Sequence, residues 1–232
     1  MALLSRHNLD PFFLIHPPKN SNCVADSDPG APFEMHKIRC PIVPGHKRGV
    51  RISDLDVLVP CNPAPDVIFT WMSECLIQER AWKLFVDEKF TGFSIRPAKA
   101  RIQRDRSPIV VYELLITGWA GVAPMATGIR EVERCAGCGH LRYSGIREPS
   151  NLIDVQNWDG SDFFMIWPLP RYIFTTGRVV EACKKHAVSG IEFSRSFPTT
   201  SGRVIPGYTP GRLSYYMPSD RAHLIGDPLG IA

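Results

Sequence analysis

Long apolar runs are missing from this chain. Its uncharged stretches are short and broken by proline, so no segment reads as a membrane span. Strong charge is missing too: 27 Lys and Arg against 23 Asp and Glu leave a formal charge of +4, too little to argue for nucleic acid on electrostatics alone. No G-x-S-x-G, H-E-x-x-H or phosphate-cradling loop occurs. The opening "MALLSRHNLDPFFLIHPPKN" places Arg6, His7 and Asp10 where an export signal needs its apolar core, so it reads as ordered N-terminal chain. The expectations are no enzyme, no membrane partner and a cytoplasmic location. In that setting seven cysteines read as reduced thiols, core residues or metal ligands, not as a disulfide framework.

What is present is a globular composition, 232 residues of which 44% are hydrophobic, with ample material for a core. Its 21 prolines crowd into 11–65 and 197–228, which lie extended or in turns because proline lacks a donor and restricts its predecessor. Residues 1–35 therefore read as an extended N-terminal arm and 36–196 as the body. Residues 197–232 read as a Pro/Gly-rich arm that wraps its own domain through a few apolar anchors.

The body repeats itself. "CLIQERAWKLFVDEKFTGFSI" (75–95) aligns without gaps on "IFTTGRVVEACKKHAVSGIEF" (173–193), setting Arg80 on Arg178, Trp82 on Val180 and Gly92 on Gly190. In each copy a short apolar strand is followed by helical spacing: Trp82, Phe85, Val86 and Phe90, then Val179, Val180, Cys183 and Ala187. A glycine stands where a helix ends left-handed, and alternation resumes after it. Both copies are predicted to be strand–helix–strand, with positive φ at Gly92 and Gly190 and with Trp82 and Val180 buried alike. A cation is unfavourable in a first helical turn, so Arg80 and Arg178 are expected to point away toward a carboxylate or carbonyl. "SPIVVYELLITGWAG" (107–121) is apolar on both faces and reads as a central strand. In "NWDGSDFFMIW" the Asp159-Gly160 turn precedes a buried strand that ends in a core Trp167. The fold class is α+β: two similar strand–helix–strand units, about 36–121 and 130–196, around a mixed sheet and joined by a zinc-ribbon-like element.

That element comes from "RCAGCGHLRYSG" (134–145). Cys135 and Cys138 stand three apart on a tight turn, enough to grip one ion. The partner half is "RCPIVPGHKRG" (39–49), where Cys40 opens the same kind of turn but Val43 occupies the place of a second cysteine. His46 supplies a fourth ligand, with His140 competing for the role. The expected cofactor is one structural zinc on Cys40, His46, Cys135 and Cys138; the alternative is unbound thiols on a surviving fold. Cys75 and Cys183 read as core, and Cys23 and Cys61 have no identifiable partner.

In order along the chain stand an early Arg-Cys-Pro, a strand–helix–Gly unit, "CAGCG", "NWDGSDFF" and the last strand–helix–Gly unit. This order resembles the double-CXXCG-motif proteins of myxobacteria, best over 135–193 and more loosely over 40–95. The resemblance implies metal ligation by Cys40, Cys135 and Cys138, and an immunity protein that neutralises a cognate protein toxin. Val43 departs from the pattern. The competing reading is a zinc-ribbon nucleic-acid binder, which would use "RPAKARIQRDR" (96–106). There Arg96, Lys99, Arg101 and Arg104 form a candidate basic ridge, which in the immunity reading meets an acidic patch on the toxin.

Overall fold

The computed structural model describes residues 12–31, 34–195 and 207–232; the start of the expected N-terminal arm and residues 197–206 of the C-terminal one lie outside the described residues. In chain order the strands and helices begin with β1 (Phe13–His16), β2 (Val24–Ser27), β3 (Met35–Arg39), β4 (Lys47–Arg51), β5 (Asp56–Val59), β6 (Val67–Thr70) and β7 (Cys75–Gln78). Helix α1 (Glu79–Asp87) leads to β8 (Phe93–Ile102), β9 (Pro108–Ile116), β10 (Gly118–Val122), β11 (Glu131–Arg134) and β12 (Leu141–Tyr143). Then come β13 (Phe163–Trp167), β14 (Ile173–Thr175), α2 (Gly177–Lys185), β15 (Glu192–Ser194) and α3 (Ser219–Gly226).

The fold is mixed α+β and mostly strand. The single mixed sheet expected from the sequence is replaced by two bodies of sheet. Strands β2-β5-β8-β9-β7-β6 close into a barrel, and β10-β13-β14-β1-β15 form an open five-stranded sheet; β3-β4 and β11-β12 are separate hairpins. The two-faced apolar pattern of β9 explains the closure. It pairs with β7 and β8, turning Val111 into the barrel with Ala25, Val57, Val59, Ile68, Leu76, Ala100 and Ile102, while Leu114 and Ile116 face a second core. Alanine and branched aliphatic residues fill the narrow lumen. The second core holds Phe85, Phe163, Phe164 and Trp167, all at most 1% exposed. Within 1–35, β1 lies inside the open sheet and β2 belongs to the barrel. Within 207–232, Leu213, Met217, Ala222 and Ile231 enter the second core.

Both repeat segments are strand–helix–strand, with nine-residue helices. Gly92 and Gly190 have φ of 82° and 81°. A Cβ on Gly92 would come 2.0 Å from the Phe163 carbonyl oxygen, and one on Gly190 would come 2.0 Å from that of Val67. The close approach therefore requires glycine as much as the dihedral does. Val180 is buried, but Trp82 is only partly so. It sits at the rim of α1 with its ring 5.1 Å from that of Tyr112, where β9 leaves one side open to solvent.

The likeness extends beyond the aligned segments. In one half β6-β7-β9-β8 are antiparallel neighbours, and in the other β13-β14-β1-β15 are. Strand β1, from the chain's beginning, thus takes the place of β9. The strand after β9, β10, pairs in parallel with β13, and the strand after β1, β2, pairs in parallel with β6. Each half lends a strand to the other.

The helix-opening arginines seal this exchange. Arg80 donates to Asp66 at 2.7 and 2.5 Å, then to the carbonyls of His186 and Ala187 at the end of α2. Arg178 donates to Asp162 at 2.9 Å and to the Glu88 carbonyl at the end of α1. Asp66 accepts from the amide and hydroxyl of Ser189, and Asp162 from those of Thr91. Each guanidinium satisfies carbonyls that the opposite helix cannot satisfy itself, at the end where a cation is favourable.

Candidate metal centre

Two hairpins build the site. The turn between β3 and β4 carries Cys40 and His46; the turn between β11 and β12 carries Cys135 and Cys138. Their places correspond in the two halves: one hairpin follows β2 and precedes β6, the other follows β10 and precedes β13. The Cys40 amide donates to the His46 carbonyl and the Cys135 amide to that of His140, so the two turns close alike.

The donor atoms of Cys40, His46, Cys135 and Cys138 all lie within 4.8 Å of one another. Cys40 Sγ is 3.6 Å from Cys135 Sγ, and Cys138 Sγ is 3.8 Å from His46 Nδ1. A tetrahedron with metal–ligand bonds of roughly 2.0–2.3 Å has edges of roughly 3.3–3.8 Å. The group can hold a metal ion. His140 stands beside this set, stacked on His46 with ring centroids 4.0 Å apart.

The local chain prepares the thiols. Burial pushes the Cys40 thiol up, but the amides of Val43 and Ile42 point at its sulfur, at 3.2 and 3.4 Å, and together with the neighbouring thiols bring it down to about 6. Burial and the adjacent Cys40 raise the Cys138 thiol. The amides aimed at Cys40 Sγ favour its thiolate, the form in which cysteine binds a metal ion. Gly139, at φ 63°, lets the second turn close, and there the Arg212 guanidinium reaches the Cys138 carbonyl at 3.1 Å. Arg212 also holds the carbonyl of Ala232, so the C-terminal segment braces the hairpin.

Sequence reasoning missed Glu133. Its Oε1 lies 3.3 Å from His46 Nε2, and its Oε2 is 3.0 Å from Arg142 Nε. The signal was there: Glu133 is two positions before Cys135, and in an extended chain such residues share a face.

The other candidate residues are placed differently. Arg96 lies on the opposite face of β8 from Lys99 and Arg101, so the four basic residues do not form one ridge. Arg96 and Arg51 both grip the buried Glu113, at 2.8 and 2.7 Å. Arg101 is held by Asp28 and Asp56, at 2.6 and 2.8 Å. Lys99 and Arg104 are exposed. Cys75 and Cys183 are core, and burial drives each thiol up to about 12. The reading of all seven cysteines as unpaired is corrected: Cys23 and Cys61 form a disulfide beside the barrel core, with Cα atoms 5.4 Å apart. Among the described residues no helix is long and apolar enough to cross a membrane. No family model matches the chain, and no curated protein matches it.

Proposed function

We propose that this protein is a binding module, an immunity protein that neutralises a cognate toxin by forming a complex with it and performs no chemistry of its own. Its two hairpins act together as a zinc-ribbon-like clip on one structural zinc. The observation that carries the reading is the closed donor set. Three cysteines and one histidine, with donor atoms within 4.8 Å of one another, would supply all four ligands of a zinc and leave no position for the water or substrate that a catalytic zinc keeps open. The donors suit zinc, for which sulfur and imidazole nitrogen are the usual structural ligands. Zinc bound there would neutralise the thiolates and tie the hairpins together. His46 presents Nδ1 because Glu133 occupies its other nitrogen.

A rigid body with a stapled end suits recognition by shape. The toxin as partner is what the sequence resemblance contributes. The nucleic-acid reading wants free, clustered cations, whereas Arg96 and Arg101 are spent on internal carboxylates. The test is co-expression with the product of the adjacent gene, expected to be a toxin. Cells are expected to survive with this protein and die without it, and the purified protein to carry about one equivalent of zinc. Death in its presence, with no complex on mixing, rejects the immunity reading.

A further inference from the structure

Four of the five tryptophans are buried or partly buried, but Trp71 is 70% exposed, and Met72 beside it is 59% exposed. Both stand at the tip of the turn from β6 to β7. The corresponding turn of the other half, from β13 to β14, begins with Trp167. There the indole is 1% exposed, donates its N–H to Tyr143 Oη at 2.8 Å and shares a core with Leu213 and Met217. The same aromatic stands at the same place in both halves. One half is covered by the chain's own segments; the other leaves an indole N–H with no partner among the described residues.

The exposed turn is held firmly. Thr70 Oγ1 accepts from the amides of Met72 and Glu74, at 3.2 and 3.1 Å, and donates to the Glu74 carboxylate. The Thr70 amide donates to the Glu74 carbonyl and the Ser73 amide to the Thr70 carbonyl, each at 3.0 Å, and the Trp71 amide reaches Ala25. From the other half, Arg171 Nη1 donates to the Met72 carbonyl at 2.7 Å. Ser73 takes a left-handed φ of 70°, which costs a non-glycine residue about 1 kcal/mol or more. This turn spends strain and seven hydrogen bonds to hold a tryptophan and a methionine in water.

We propose that Trp71 and Met72 are the anchor with which this protein docks its protein partner, an inference that rests on the binding reading above. The covered half indicates the chemistry of the occupant: an apolar pocket with an acceptor, hydroxyl or carboxylate, for the indole N–H. At its rim an acidic residue faces Arg171, which is exposed and has no carboxylate partner among the described residues. A pre-ordered aromatic loses little entropy on binding, and such anchors carry much of an interface's energy.

The test uses the whole protein and, as probe, the purified product of the adjacent gene, titrated by calorimetry. Trp71→Ala is expected to weaken the dissociation constant by about 30-fold or more, while melting stays within about 2 °C of wild type because the side chain touches solvent. Arg171→Gln is expected to cost about tenfold, more at low salt than at high. Lys184→Ala, an exposed cation on α2, is the control and stays within about threefold. Undiminished binding by Trp71→Ala overturns the docking site and leaves the binding reading standing. A wild type that does not bind this probe overturns both. A concentration-dependent homodimer, seen by sedimentation and abolished by Trp71→Ala, overturns the hetero-partner in favour of a second copy of this chain.

Discussion

Replacing Asp66 with alanine tests the reciprocal seal between the halves. The side chain is 11% exposed and accepts from Arg80, at 2.7 and 2.5 Å, and from the amide and hydroxyl of Ser189, at 2.7 and 2.6 Å. Burial pushes its carboxyl up, but Arg80 and Ser189 outweigh burial and hold it at about 2, against an ordinary 3.8. At about 1.4 kcal/mol per unit that depression is worth at most about 2.5 kcal/mol. The Arg80 side chain is 55% exposed, so solvent screening reduces the electrostatic share to about 1–2 kcal/mol. Asp66→Ala also strands the Ser189 amide, which brings the expected loss to about 3 kcal/mol. For a chain of this length that is a melting decrease of about 6–12 °C. The sign with pH follows from the depressed value. The charge contribution is complete above the unfolded pKa near 3.8 and disappears as pH falls through about 2. Urea titrations of wild type and Asp66→Asn should therefore differ fully at pH 6, less at pH 3.5, and hardly at all near pH 2. Asp162, which has the corresponding partners Arg178 and Thr91 and in addition the Thr176 hydroxyl, should lose at least as much on replacement by alanine. A loss below about 1 kcal/mol at Asp66, or a difference between Asp66→Asn and wild type that ignores pH, would refute the reasoning.

Glu133→Gln should lower zinc affinity by about 10–100-fold in chelator competition, with the fold unchanged by circular dichroism, because a second-sphere carboxylate orients its histidine and raises its basicity; unchanged affinity would remove Glu133 from the site. Cys138→Ser should abolish stoichiometric zinc and lower melting by several °C. It should leave amide exchange in β6 and β13 as slow as in wild type, since those strands are fixed by the exchange between halves; metal-free protein with wild-type melting would reject the clip.

The sequence showed the two strand–helix–Gly units because their signals are local: helical spacing over nine residues and a glycine that only a left-handed turn requires. Arg80 and Arg178 were legible as misplaced cations, but their partners were not. Asp66 and Asp162 lie before the aligned segments, and nothing in their neighbourhood marks them as acceptors. The four residues that can hold a metal ion were legible through cysteine spacing and the turn residues around it, with His46 the donor offered where Val43 stands in place of a cysteine. The disulfide was not, since Cys23 and Cys61 are 38 positions apart and share no motif. The basic stretch 96–106 misled because a row of cations in sequence does not reveal which face of a strand each occupies, nor which buried carboxylate waits there. The barrel was hidden for a related reason. Closure depends on which strands pair, and β5, four residues long, carries no sign that it joins β2 to β8.

The order of strands explains why the repeat looked partial. Read along the chain, the second unit stops at β15, one strand short of the first. In space β1 completes it, pairing with β14 and β15 as β9 pairs with β7 and β8. Once β1 is matched with β9, the lent strands β2 and β10 correspond, and so do the hairpins that follow them. The four ligands then straddle the relation between the halves, two from each side. Where Cys138 completes one turn, Val43 stands in the other, and His46 reaches in from the turn's far end, supported by Glu133 of the opposite hairpin. The candidate metal site and the paired Asp–Arg seals thus lie between the same two halves. The seals lock the helices and central strands, while a metal held by these four residues would fix only the hairpins beyond them. The exposed Trp71 belongs to the same asymmetry. It is the copy of Trp167 that the hairpin β11-β12 and the C-terminal segment do not cover. That leaves one half of a self-sealed pair open to a partner.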